Sequence, residues 1–401
     1  MDQSQSRTSW SMIFAYAALV AATQALWVTY TPITTTAAAH WGVSEEAVGW
    51  LAQVFPLLYV VLALPFGYWA DRRFRGSLAV GAGLTAAGAL IRLVPGYEYA
   101  LAGQIVISVA QPLVVNGINK IVSLYVAPAK RPAAIAIGSS SLFIGILLST
   151  VSVPFFMDGQ GMQAVNGSQA IFAAAASLAF LAALRIRPLH AAEGATAQVS
   201  MKALWSQRWV RHLSLLLFVG FGLFIALTTW LEVLSDALGM SEEQVGIGLG
   251  LMTVAGIVGA GVVPSWAAAG KRSRYMLCAS LGMSVVTLAA LWIGANVWVF
   301  VAMLGATGFL LLADLPIILV TAESKASPET AGTVAGMLLL FGNLGGVVLS
   351  LGVQALLDYR GLAIGMLIVV ALAMLPLAMR YPAGEKGIGQ GRSGQANEFV
   401  Q

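Results

Sequence analysis

Five ionisable residues stand inside apolar runs of this chain, where charge is costly. Glu232 and Asp236 are four residues apart, Asp314 is followed by Leu315 and Pro316, and Lys120 and Glu323 hold comparable places in two further runs. Charge at membrane depth faces a cavity or a partner. Residues four apart share a helix face, so Glu232 and Asp236 could attract a cation or share a proton. Solvation near Ser235 is the plainer reading, and for Asp236 the favoured one. Asp314 is a candidate proton or cation site or else a structurally paired acid, and Pro316 is expected to bend its helix. Lys120 can snorkel on its own, or it can pair with Glu323 and close one side.

Aromatic and amide groups extend the set. Trp27 and Tyr30 stand deep in the first apolar run, Gln111 in the fourth and Trp230 in the seventh. An indole face attracts a desolvated cation by about 2 kcal/mol, and a buried glutamine left unpaired costs about 1–3 kcal/mol. Together they would suit a small cationic solute. Helix packing around Trp27 and a helix–helix hydrogen bond from Gln111 are the alternative.

Enzymatic chemistry is excluded on what is missing. His40, His190 and His212 have no metal-ligand spacing, Cys278 has no second cysteine, and neither a Gly-x-Ser-x-Gly nucleophile nor a phosphate loop occurs. No metal, no cofactor and no ATP-driven step is expected. The net charge of +4 is scattered over short loops, which is not a nucleic-acid footprint.

The elements that position these residues follow from composition. Hydrophobic residues make up 59% of the chain and charged ones 9%, against roughly 25% in soluble domains. Mean hydropathy is +0.84. A crossing needs about 20 apolar residues, and breaks at Gly, Pro, Asn and charges predict twelve: 11–39, 45–70, 77–95, 98–127, 133–157, 168–187, 211–238, 243–268, 275–294, 296–322, 330–357 and 361–381. This gives an all-α polytopic membrane protein, with a six-helix bundle at 1–187, a linker at 188–210, a second six-helix bundle at 211–381 and a flexible tail at 382–401. Of the 21 Lys and Arg, all but Arg92, Lys120 and Arg360 fall on the side of the termini. The positive-inside rule therefore places both termini and the linker in the cytoplasm. A plasma (inner) membrane location and a monomer are expected.

The halves repeat. Gly42-Val43-Ser44-Glu45-Glu46-Ala47-Val48-Gly49 returns 197 residues later as Gly239-Met240-Ser241-Glu242-Glu243-Gln244-Val245-Gly246. Each Ser can cap a helix whose first turn carries the two acids. Duplicated halves in an apolar chain predict a transporter with its site between them. The glycine sets Gly81/Gly83/Gly88, Gly256/Gly259/Gly261 and Gly342/Gly345/Gly346 predict close helix contacts.

Between spans two and three, Gly67-Tyr68-Trp69-Ala70-Asp71-Arg72-Arg73-Phe74-Arg75-Gly76 resembles the loop signature of the major facilitator superfamily, Gly-x-x-x-Asp-Arg with a basic cluster, with Phe74 where that family usually has Gly. The resemblance implies the major facilitator fold and a cytoplasmic gate involving Gly67, Asp71 and Arg72, to which Lys120 and Glu323 would add. The second-half loop, Pro264 to Arg274, keeps the tryptophan and the basic cluster without the acid. Further segments resemble the feline leukaemia virus subgroup C receptor-related transporters: Trp27-Val28-Thr29-Tyr30, Ser108-Val109-Ala110-Gln111, Ala127-Pro128-Ala129-Lys130, and Glu323 through Pro328-Glu329 to Gly332. That family implies choline, ethanolamine or haem as substrate, with Trp27 over a quaternary ammonium and Gln111 beside it. The glutamine it would place in span eleven is not evident at 337–340, and Trp230 is the nearest aromatic in span seven.

The reading that follows is a secondary transporter in the lipid bilayer moving a small organic solute by alternating access, by uniport or coupled to protons. Trp27, Tyr30, Gln111, Trp230 and Glu232 would bind substrate, and Asp314 or Glu232 would take the coupling ion. A non-transporting sensor on the same scaffold is the alternative.

Overall fold

The repeated octapeptide sets helix ends in both halves of the chain. In a computed structural model describing residues 8–190, 201–269, 272–326 and 331–381, Gly42 (φ 67°) ends α2 (Thr34–Trp41), and Ser44 Oγ accepts the Ala47 N–H at 3.2 Å to start α3 (Glu45–Arg72). One repeat later Gly239 (φ 64°) takes the same left-handed turn. There Ser241 Oγ accepts the Gln244 N–H at 3.3 Å while Gln244 Oε1 accepts the Ser241 N–H at 3.0 Å, opening α10 (Glu242–Ala269). Glycine suits that left-handed C-terminal position, and the reciprocal bonds form a capping box.

The first half comprises α1 (Trp10–Trp27), α2, α3, α4 (Phe74–Ile91), α5 (Tyr97–Val115), α6 (Ile118–Tyr125) and α7 (Arg131–Ala183). After the short α8 (Met201–Ser206) come α9 (Arg208–Ser235), α10, α11 (Ser273–Trp292), α12 (Val297–Lys325), α13 (Ala331–Gln354) and α14 (Arg360–Met379). Among the described residues, eleven helices are long and apolar enough to cross a membrane. One of them, α7, runs for 53 residues and is two crossings joined at Gly161 (φ 75°, ψ −172°). Spans five and six thus meet without the separating loop expected at 158–167, and the total is twelve. Trp10 and Met379 mark what is called here the terminal end of the bundle, and the Gly42 and Gly239 turns mark the distal end.

Two crossings of the first half are interrupted. Span four stops at Val115 and restarts as α6, three residues after Pro112. Span one stops at Trp27, turns through Val28–Tyr30 and passes a 3-10 turn at Thr31–Ile33 before α2. Pro32 removes a backbone donor at that point. Threonines patch the loss: Thr29 Oγ1 donates to Ala25 O at 3.0 Å, and Thr31 Oγ1 to Val28 O at 3.0 Å. The position 197 residues after Pro32 is Thr229, and α9 runs through it unbroken. Span ten also continues as one helix through Pro316.

Spans one and seven are the axial elements. Their most apolar windows are 83% buried, against 28–56% for the other crossings. Glycine brings each against its partner: a Cβ on Gly145 would lie 2.1 Å from Ala21 O, and one on Gly345 1.8 Å from Phe218 O. Of the three glycine sets, Gly83 and Gly261 face open space instead of a neighbour. Gly345→Ala is therefore expected to lower the melting temperature of the purified protein through overpacking of about 1–3 kcal/mol. Gly83→Ala should match or exceed the wild type, since alanine favours helix by about 1 kcal/mol.

Candidate functional site

The halves meet through a polar layer at the distal end. Thr35 donates both its backbone N–H, at 3.2 Å, and its hydroxyl to the carboxylate of Glu232. Their separation in sequence is 197 residues, the offset of the repeat, so equivalent positions of the two halves meet each other. The Thr36 hydroxyl donates to Glu242, and Gln53 Nε2 donates to Gln354 Oε1. Arg360, the first residue of α14, pairs with Asp236 at 2.5 Å in its own half and with Glu45 at 3.6 Å in the other. Asp236 is therefore ion-paired and not simply solvated. Five polar links join the halves in this layer: two from Thr35, one from Thr36, one from Gln53 and one from Arg360.

Close packing backs the polar bonds. A Cβ on Gly49 would lie 2.1 Å from the Trp230 ring, and one on Gly246 2.5 Å from Thr150 O. Both glycines end the repeated octapeptide, so each half presents its own copy to the other. Trp230 is fully buried, its Nε1 donating to Ser350 O at 3.0 Å and to Ser350 Oγ at 2.9 Å. On the terminal side of Trp230 the seam between Phe143 of the first half and Leu217, Phe221, Phe224, Leu311, Leu312 and Leu315 of the second is apolar.

Trp27 ends α1 at the break, packed near Phe55 with ring centroids 6.4 Å apart, and its Nε1 donates to Ala52 O at 3.0 Å. Leu26 O, freed by the break, accepts from Gln104 Nε2 at 3.1 Å. Gln111 follows Gln104 by seven residues on α5, hence on the same face and about 10 Å nearer the terminal end. Gln111 is 8% exposed and has no hydrogen-bond partner among the described residues.

Other expected site residues fall elsewhere. Tyr30 packs in a cluster of first-half residues only, its hydroxyl donating to Asn166 Oδ1 at 2.7 Å and accepting from Arg92 Nε at 3.0 Å. It is not brought together with Trp230 or Glu232. Asp314 lies inside the second bundle, where Ser280 Oγ donates to its Oδ2 at 2.5 Å and Gly220 faces it, while Oδ1 has no partner among the described residues. It does not join Trp27 or Gln111. Glu232 is a strut of the distal layer, and Glu232 and Asp236 take different partners despite sharing a face.

At the terminal end, Lys120 Nζ donates to Ala70 O at 3.3 Å and lies 5.0 Å from the Phe74 ring centroid, both in its own half. A Cβ on Gly67 would meet nothing within 4 Å among the described residues. Arg72 is exposed. The side chains of Asp71 and Glu323 lie outside the described residues. Sequence reasoning missed Thr35, Gln354, Arg92 and Arg360 as structural partners. The 197-residue offset between Thr35 and Glu232 was the signal that could have found the first.

Arg360→Glu should repel Glu45 and Asp236 and loosen the distal layer. Spin labels at Glu46→Cys and Tyr359→Cys, in a Cys278→Ala background, are expected to show a longer distance population that the Arg360-containing protein lacks. An unchanged distribution would show that Arg360 does not hold the halves together.

The arrangement can be placed among known proteins. The Major Facilitator Superfamily profile matches residues 12–350. The choline/ethanolamine transporter FLVCR1 of Felis catus is 28% identical over 373 residues, covering 85% of this chain and 66% of that protein. The choline/ethanolamine transporter flvcr2b of Danio rerio is 24% identical, covering 87% of this chain and 78% of that one. Solute carrier family 49 member A3 of Xenopus tropicalis is 24% identical, covering 86% and 78%. Among solved structures, a bacterial homologue of the human lysosomal transporter Spinster, in an inward-facing and unoccupied conformation, superposes with a TM-score of 0.67 at 14% identity over 95% of this chain and 98% of that one. The nucleoside transporter NupG does so with a TM-score of 0.68 at 14% identity over 91% and 99%. Twelve apolar crossings in two repeated halves, matched by that profile over most of their length, make this chain an integral multi-pass member of the Major Facilitator Superfamily, a family of membrane transporters of small solutes.

Proposed function

We propose that the protein carries a small organic cation of the choline or ethanolamine class by alternating access, and that the conformation described is the inward-facing one. The observation that carries the substrate class is the Trp27–Gln111 pair. Trp27 ends an axial span at its break, and the Gln111 carboxamide lies on α5 two turns from Gln104, which binds that break. The Gln111 carboxamide is not among the fully buried unpaired groups, so a solute hydroxyl or a water can reach it. An indole face suits a quaternary or primary ammonium, an attraction of about 2 kcal/mol when desolvated. The names of the relatives support the same class.

The state follows from charge and closure together. With the basic loops and both termini read as cytoplasmic, the distal layer is the outer gate and it is shut. Opening to the outside then requires Arg360, Glu232 and Glu242 to release their partners. A plasma (inner) membrane location fits this role.

A coupling ion has one candidate outside the gate. Asp314 keeps one oxygen unpaired inside the second bundle, so a proton taken there would bias the half that must rock. If it does, Asp314→Asn abolishes uptake driven by a proton gradient and spares exchange of labelled for unlabelled solute.

The test is flux. Reconstituted vesicles should take up labelled choline, with Trp27→Ala abolishing uptake and Gln111→Ala weakening it about tenfold, as loss of one hydrogen bond of about 1.4 kcal/mol would. Thermal stabilisation by choline that Trp27→Ala removes, without flux, would instead assign a sensor. Stabilisation by anionic solutes alone would reject the cation reading.

A further inference from the structure

Three basic residues sort away from the terminal loops in the sequence: Lys120, Arg360 and Arg92. The first two have the partners described above. Arg92, at the distal end of α4, is 1% exposed and touches no carboxylate. Its Nε donates to the Tyr30 hydroxyl at 3.0 Å, and Nη1 to Gln104 Oε1 at 3.2 Å and Leu26 O at 3.4 Å. Nη2 donates to Asn166 Oδ1 at 3.3 Å, and the guanidinium carbon lies 4.7 Å from the Tyr30 ring centroid. All of these acceptors are neutral. Of the nearby acids, Glu45 pairs with Arg360, and the Glu98 carboxylate lies beside Gly96 without bonding Arg92.

The cation is under-satisfied by count and by length. A guanidinium has five N–H groups, and the bonds above use four. They are also longer than the roughly 2.7–2.9 Å of charge-assisted bonds to anions. A buried charge is costly unless a counter-charge and full hydrogen bonding accompany it.

A cleft of about 40 Å³ adjoins the guanidinium, lined by His40, Trp41, Gly96, Gln163 and Asn166 among others. His40 and Gln163 are exposed, so the cleft communicates with the distal surface. Gly96 adopts φ 127°, and a Cβ there would lie 2.6 Å from the Glu98 carboxylate. By volume the cleft has room for about three waters, or one small ion.

We propose that this cleft binds a chloride-sized monovalent anion as the counter-ion of Arg92. The anion would take the free Nη2 N–H and neutralise the charge that ties α4 to Tyr30, Leu26, Gln104 and Asn166. It would thereby brace the break in span one from outside the path between the halves. The proposal does not rest on the transport reading, because its readouts are binding and stability.

The test compares melting temperatures of the purified full-length protein in sodium chloride and in sodium gluconate at equal ionic strength. Chloride and bromide are expected to raise the melting temperature saturably, and gluconate, too large for the cleft, is not. Asn166→Asp supplies a carboxylate at the same place and keeps an acceptor for both Tyr30 and Arg92. It should match the chloride-bound stability in gluconate and lose the halide response. Equal melting of the native protein in the two salts would overturn the proposal. So would a halide response undiminished in Asn166→Asp, which would put the ion elsewhere. Should Asn166→Asp not fold, His40→Glu at the exposed rim serves: a weaker halide midpoint supports the site, and an unchanged one rejects it.

Discussion

A bilayer offers no water to a broken helix, so every backbone group released at the interruption of span one must find a partner inside the protein. Most of the first half is arranged around that requirement. Pro32 imposes the break, and the Thr29 and Thr31 hydroxyls take carbonyls one turn back. Leu26 O, at the end of α1, receives an amide from Gln104 and a guanidinium from Arg92. Gln104 also donates to Leu51 O at 2.9 Å, and Trp27 to Ala52 O, so spans one, two and four are cross-tied at one level. The break is thus a fixed joint. It holds an indole at the axis of the molecule without leaving that indole free to swing.

Gene duplication explains the distal layer in a similar way. Where two equivalent surfaces meet across a pseudo-twofold axis, residues on the axis face their own counterparts. Thr35 and Glu232 are such counterparts, and divergence has made one the donor and the other the acceptor. Gly49 and Gly246 have not diverged, and each admits a neighbour from the opposite half. The Glu45 and Glu242 pair kept its type and changed its partners, Arg360 in one case and Thr36 in the other.

The fold was legible because hydropathy and lysine–arginine placement are properties of whole segments. Gly161 hid the boundary of spans five and six, since glycine permits both a turn and a continuous run of backbone bonds. Facing was much less legible. Spans that are apolar all round carry no polar stripe to mark a side, so nothing in the sequence showed that Tyr30 and Asp314 each turn into their own bundle. Asn166, which heads a glycosylation sequon, is buried against Arg92. Gln111 and Trp230 were singled out by the resemblance to a transporter family, whose span-four glutamine and span-seven aromatic they match. Closure at one end was beyond the sequence, which holds the partners of both states at once. Gate residues near Gly67 were visible there as charges, while the distal gate, built of threonines and glutamines as much as of ions, was not.

That composition bears on how readily the layer can open. Arg360 and Glu45 are each about one-third exposed, and such pairs contribute about 0–1 kcal/mol in water. The Thr35–Glu232 and Thr36–Glu242 bonds sit deeper, yet a hydrogen bond exchanged for water nets only about 0.5–1.5 kcal/mol, rising to about 1.5–3 when one partner is charged. A carrier must visit both states, so the gap between them has to stay within a few kcal/mol. A gate of many weak polar links over glycine contacts meets that condition, because each link can be replaced by water as the halves part. A gate of buried aliphatic side chains would not, since all of its apolar area would be exposed together. The Trp230–Gly49 contact is the exception in kind, and it supplies what hydrogen bonds lack: a shape that fits only when the halves are fully shut.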